Sequence, residues 1–229
     1  MAKYCTKCGK KLDGKPCDCE NQTQTVTTTS NFDFNHLLDV VKGMFTKPVD
    51  TLNNFIGDHN LSYGLVLLGV NALIIALFCC LGMKELFSFV SGSMSAFLIQ
   101  SSIEFPYAEV FFKSLVFVIL GYAILAGLFY LIADKLFKGP SSYQKMITLF
   151  GAVSVILSAT LLGSIVLMYV STQLMFVWLC CGLLLQSVYT IQGLKMAINI
   201  DENKLGYVYA VVYAILLIVT IFILPRIMG

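Results

Sequence analysis

Five long apolar stretches constrain this chain more than anything else in it. They run over residues 63–83, 114–133, 146–170, 174–198 and 207–224, and none has an acidic or basic residue near its middle. A bilayer core about 30 Å thick is crossed by roughly 20 mainly apolar residues in a helix. Each stretch is close to that length or longer. The breaks between them are polar or turn-forming: Lys84-Glu85, Asp134-Lys135, Ser171-Thr172-Gln173 and Pro225-Arg226. A soluble core of this size would need polar residues to clothe its outside. Charged residues are only 12% of the chain, against about 25% in ordinary soluble domains. The expected fold class is therefore an all-α polytopic membrane protein with about five transmembrane helices over residues 63–229.

Charge sets the expected orientation. Lys and Arg are counted near the span ends, because cytoplasmic loops carry an excess of them. An inside N-terminus puts Lys42, Lys47, Lys135, Lys138, Lys145, Lys195 and Lys204 on the cytoplasmic side, leaving Lys84, Lys113 and Arg226 opposite. Seven against three predicts a multi-pass protein of the cell membrane with its N-terminus in the cytoplasm and its C-terminus outside. The first thirty residues contain no apolar signal core, so the first span is expected to direct insertion. The net charge of +2, with fourteen of fifteen basic residues being Lys, gives no ground for a nucleic-acid partner.

Residues 84–113 are too apolar for an ordinary loop, although Ser and Gly interrupt them. Two readings fit: an interfacial or re-entrant helix, and an extension of the flanking spans beyond the membrane. Ahead of the first span, residues 34–62 are expected to form amphipathic juxtamembrane helices, with helical periodicity over 34–56. Phe34, Leu37, Leu38, Val41, Met44, Phe45, Leu52, Phe55 and Ile56 recur at spacings of three and four, and Asp39, Lys42, Lys47, Asp50 and Asn53 lie between them. Ser30 with Asp33 resembles a capping signal, and Pro48 suits the first turn of a second short helix. The stripe either lies on the cytoplasmic leaflet or packs on the membrane domain. Residues 21–33, rich in Thr, Gln and Asn, read as a flexible tether.

The eight cysteines fall into two groups. Cys5, Cys8, Cys17 and Cys19 lie within residues 1–20 as Cys-x-x-Cys-Gly and Cys-x-Cys. Two thiolates from one tight turn can face one ion, and four complete the closed tetrahedral shell of a structural zinc site. So short a segment offers only Tyr4 and Leu12 as a core, far less than ordering the chain demands. Zinc binding of roughly 10–16 kcal/mol is enough to order it. Disulfides would need an oxidising compartment, against the expected cytosolic placement. The single residue between Cys17 and Cys19 departs from the two usual in a zinc ribbon. Cys79-Cys80 and Cys180-Cys181 lie within apolar stretches and read as small apolar residues.

The spans hold few polar residues for chemistry. Asn71, Thr160, Gln186 and Gln192 are the main ones, and such groups more often join helices than line a pathway. Ion-coupled transport normally needs titratable groups in the bilayer. No catalytic constellation surrounds His36 or His59, so no enzyme is expected.

The stretch Met44-Phe45-Thr46-Lys47-Pro48-Val49-Asp50-Thr51-Leu52, followed by five spans with the N-terminus inside, resembles the lead-in of the Yip1 family of multi-pass membrane proteins. Bacterial chains of this type also resemble it in carrying a short zinc ribbon ahead of the membrane domain, as Cys5 to Cys19 would be. The resemblance implies a non-enzymatic scaffold or adaptor, with a structural Zn2+ as cofactor, the lipid bilayer as its surroundings and a protein partner recruited by the head. A homo-oligomer is compatible with it. The alternative is a permease or channel for a small or uncharged solute, with Asn71, Gln186 and Gln192 facing one cavity.

Overall fold

The computed structural model describes residues 3–4, 11–12, 32–100, 107–139, 141–198 and 202–228. The chain divides into two units, Met1–Phe34 and Asn35–Gly229. In the first, the strands β1 (Lys3–Tyr4) and β2 (Lys11–Leu12) pair antiparallel, Lys3 opposite Leu12 and Tyr4 opposite Lys11. Tyr4 and Leu12, expected to share a small core, are thus not a directly opposed pair. Cys5, Cys8, Cys17 and Cys19, and the capping residue Ser30, lie outside the described residues, as does the tether over 21–31.

The second unit is helical. α1 (Phe34–Thr46) and α2 (Pro48–Phe55) are short, and Pro48 occupies the first turn of α2 as its sequence predicts. Its missing N–H falls where a helix has no internal partner to offer. A 3-10 turn, Asp58–Asn60, leads into α3 (Leu61–Gln100), and then come α4 (Tyr107–Leu131), α5 (Tyr143–Met168), α6 (Thr172–Ala197) and α7 (Glu202–Met228). α4 closes in a π-helical turn, Ile132–Leu136, after which Lys138 adopts φ 54° in the link to α5.

Among the described residues four helical stretches are long and apolar enough to cross a membrane: Leu61–Gly82, Tyr107–Leu136, Tyr143–Met168 and Thr172–Ala197. They match the first four expected spans, each beginning somewhat earlier than hydropathy alone placed it. The fifth expected span falls on α7, in which Asn203–Ile218 forms a shorter apolar stretch. α3 continues unbroken through Gln100. That favours extension of a flanking helix over a separate re-entrant element for residues 84–100. An unbroken helix keeps every backbone N–H and C=O bonded internally, which Ser and Gly interruptions do not prevent.

α5 is the central helix. Of its apolar stretch 67% is buried inside the bundle, against 17% for those of α4 and α6. It runs alongside α3, with Gly64 beside Thr148 and Gly151, and antiparallel to α6, with Leu149 near Gly193 and Thr160 near Gly182. The approach of α3 to α5 is backbone on backbone, since a Cβ on Gly151 would lie 2.6 Å from the Cα and O of Gly64. Small residues at such a crossing let dispersion contacts join helices in lipid, where the hydrophobic effect gives no such drive. Phe129 of α4 joins the bundle to α7, its ring centroid 5.4 Å from Phe150 and 6.2 Å from both Tyr209 and Tyr213.

Of the two readings for residues 34–62, packing on the membrane domain describes one face of the stripe. Leu37, Val40 and Met44 of α1 and Leu52 and Phe55 of α2 are buried in the same apolar core as Met146, Leu149 and Leu194. α2 packs on α5 and α6.

Candidate functional site

Lipid offers no hydrogen-bonding partner, so the polar side chains of the spans must find one another. The largest such meeting centres on Asn71 of α3, which is fully buried. Its amide nitrogen donates to the Ser154 carbonyl oxygen at 3.0 Å and to Ser158 Oγ at 2.7 Å, both on α5. Its Oδ1 accepts from the Tyr122 hydroxyl of α4 at 2.7 Å. Both amide hydrogens are thereby used, and the carbonyl has a donor. Ser154 Oγ donates in turn to the Gly151 carbonyl at 2.7 Å, so the cluster begins one turn from the Gly64–Gly151 crossing. Three helices are fixed in register by one side chain.

A second junction ties α5 to α6. Trp178 Nε1 donates to the Thr160 carbonyl at 3.0 Å, and the same carbonyl accepts from Ser164 Oγ at 2.9 Å. Thr160 Oγ1 turns back to the Ile156 carbonyl at 2.8 Å. Gly182 lies against the Thr160 side chain, where a Cβ would collide with it.

The sequence-predicted polar residues therefore separate. Asn71 lies at the α3–α4–α5 junction and Thr160 at the α5–α6 junction. Gln186 and Gln192 sit half-buried on α6, and neither is among the hydrogen-bond partners of Asn71. Tyr122, Ser154, Ser158 and Trp178 were not singled out by sequence. The one signal for the serines is their i, i+4 spacing, which puts them on one face of α5.

His36 is exposed and packs edge-on against Tyr63, with ring centroids 4.8 Å apart, and His59 ends the short 3-10 turn. Cys79, Cys80, Cys180 and Cys181 are free thiols, Cys80 donating to the Tyr107 carbonyl at 3.3 Å. Among the described residues no three His, Cys, Asp or Glu gather as metal ligands; the four head cysteines are not among those residues. Asn71 with Ser154, Ser158 and Tyr122, and Trp178 with the Thr160 carbonyl, are interhelical bonds, an arrangement that joins helices.

These features define a class: a helical membrane protein of several spans, built on a buried central helix and held by interhelical hydrogen bonds. Residues 42–224 match the Yip1 domain, most of the chain, and the chain belongs to the Yip1 family. No curated protein and no solved structure matches it.

Proposed function

We propose that this chain is a non-enzymatic scaffold or adaptor of the membrane, whose cysteine head binds one zinc ion and recruits a protein partner at the cytoplasmic face. The observation that carries the reading is the use of the bundle's polar groups. Asn71 spends both amide hydrogens and its carbonyl on Ser154, Ser158 and Tyr122, so it serves helix assembly rather than a solute. A permease reading would need Asn71, Gln186 and Gln192 around one cavity, and the partners of Asn71 come instead from α4 and α5.

The reading therefore rests recruitment on the head. Residues 5–10, which link β1 to β2 in sequence, carry Cys5 and Cys8. A pair of antiparallel strands on either side of Cys-x-x-Cys is the frame a zinc knuckle requires, and Cys17 and Cys19 supply the remaining thiolates. Zinc holds these cysteines as thiolates and orders the head. Lys3, Lys7, Lys10, Lys11 and Lys15 offset the charge of a four-thiolate site.

The experiment is crosslinking from the head in native membranes, together with metal analysis of the purified full chain. About one zinc per chain and one reproducible protein partner are expected, as four thiolates make one closed site. Replacing Cys5 and Cys8 by Ser should abolish both while leaving membrane insertion intact. Unchanged capture by that variant sinks the reading.

A further inference from the structure

α1 presents three faces, and the bundle uses only one. Leu37, Val40 and Met44 point into the core. Asn35, Asp39, Lys42 and Thr46 form an exposed polar face. About a third of a turn from the core face, at 3.6 residues per turn, stand Leu38 and Phe45, with Val41 half-buried between that ridge and the core. Leu38, Phe45 and, at the start of α2, Val49 keep 49%, 56% and 47% of their surface exposed. A helix packed only for stability would carry polar residues there.

The position of the helix says what covers the ridge. α2 packs on α5 and α6, and Ile56, just past α2, lies near Gly193 toward the end of α6. His36 touches Tyr63 near the start of α3. The pair thus sits at one end of the bundle. At the end of a set of spans the surroundings change from hydrocarbon to headgroups, and an apolar ridge beside a polar face suits that boundary. The charges within residues 34–56, Asp39 and Asp50 against Lys42 and Lys47, cancel, so the segment's own attraction to lipid is apolar rather than electrostatic.

We infer that α1 and the start of α2 form an interfacial anchor, with Leu38, Phe45 and Val49 inserted among the lipids of one leaflet while the opposite edge of α1 braces the bundle. The inference is independent of the zinc head and of any recruited partner.

The test places the photo-crosslinker p-benzoylphenylalanine at position 38, 45 or 39 of the full chain, reconstituted in phosphatidylcholine vesicles. These positions are exposed, so the bundle core is untouched. Lipid adducts found by mass spectrometry should be several-fold more abundant from positions 38 and 45 than from 39, and should persist at high salt. Equal yields at all three positions, adducts only to a second copy of the chain, or loss of the lipid adducts in salt would each overturn the anchor.

Discussion

At the scale of single residues, the bundle depends on atoms that are missing as much as on those present. Gly151 meets Gly64 backbone to backbone, and a methyl group there has nowhere to move. Gly151→Ala is expected to destabilise the bundle by about 1–3 kcal/mol, the usual cost of overpacking. Gly69→Ala is the control, since nothing lies within 4 Å of a Cβ at Gly69, and it should stay within about 0.5 kcal/mol of the parent. Unfolding in mixed micelles with increasing dodecyl sulfate measures both. Asn71 makes a different demand. A double-mutant cycle of Asn71→Ala with Tyr122→Phe should give a coupling of about 0.5–1.5 kcal/mol, the range for interhelical hydrogen bonds in membranes. Asn71 was legible in the sequence as an amide in an apolar run. Its partners were not, because which hydroxyl faces it depends on how three helices slide past one another. Glycines are common in spans, so Gly151 could not be told from Gly69 before the helices were packed.

At the scale of elements, the periodicity of residues 34–56 and the proline at 48 announced two short helices, and both are present. Periodicity alone could not say which apolar residues face the bundle, because α1 has apolar side chains on two faces. The distinction is measurable. Phe55, 2% exposed and inside the shared core, should cost about 3–5 kcal/mol when cut to Ala. Val49→Ala should change stability in detergent by less than about 0.5 kcal/mol. Similar losses at both positions would mean that α2 packs on both faces. The extent of α3 was the least legible element. Its Ser- and Gly-interrupted continuation reads from sequence as either an interfacial piece or an extension, and internal backbone bonding resolves it as helix. At 1.5 Å per residue its 40 residues reach about 60 Å, twice the hydrocarbon thickness.

At the scale of the whole molecule, α2 packs on α5 and α6, whose first and last turns carry Lys145 and Lys195, two of the lysines the charge rule assigns to the cytoplasm. The α7 helix, 27 residues and about 40 Å long, has the length to cross. With α7 across, a tag at the C-terminus should be removed by protease added to intact cells, while a tag at the N-terminus should be protected. Removal of the N-terminal tag alone, or protection of both, would reverse or shorten the topology. The class of fold was legible because hydropathy over twenty residues is a local property. The central place of α5 was not, since its apolar stretch is intermediate in hydropathy among those of α3, α4 and α6.

That central place has a consequence for how the protein is made. A ribosome delivers α3 and α4 before α5, and the Tyr122–Asn71 bond needs only those first two helices. The hairpin they form can therefore shelter the Asn71 carbonyl while its amide hydrogens wait in lipid. At about 5–20 residues per second, the 36 residues between Tyr122 and Ser158 take roughly 2–7 seconds to appear. During that interval the half-built bundle has one amide only partly satisfied, and the arrival of Ser154 and Ser158 closes it.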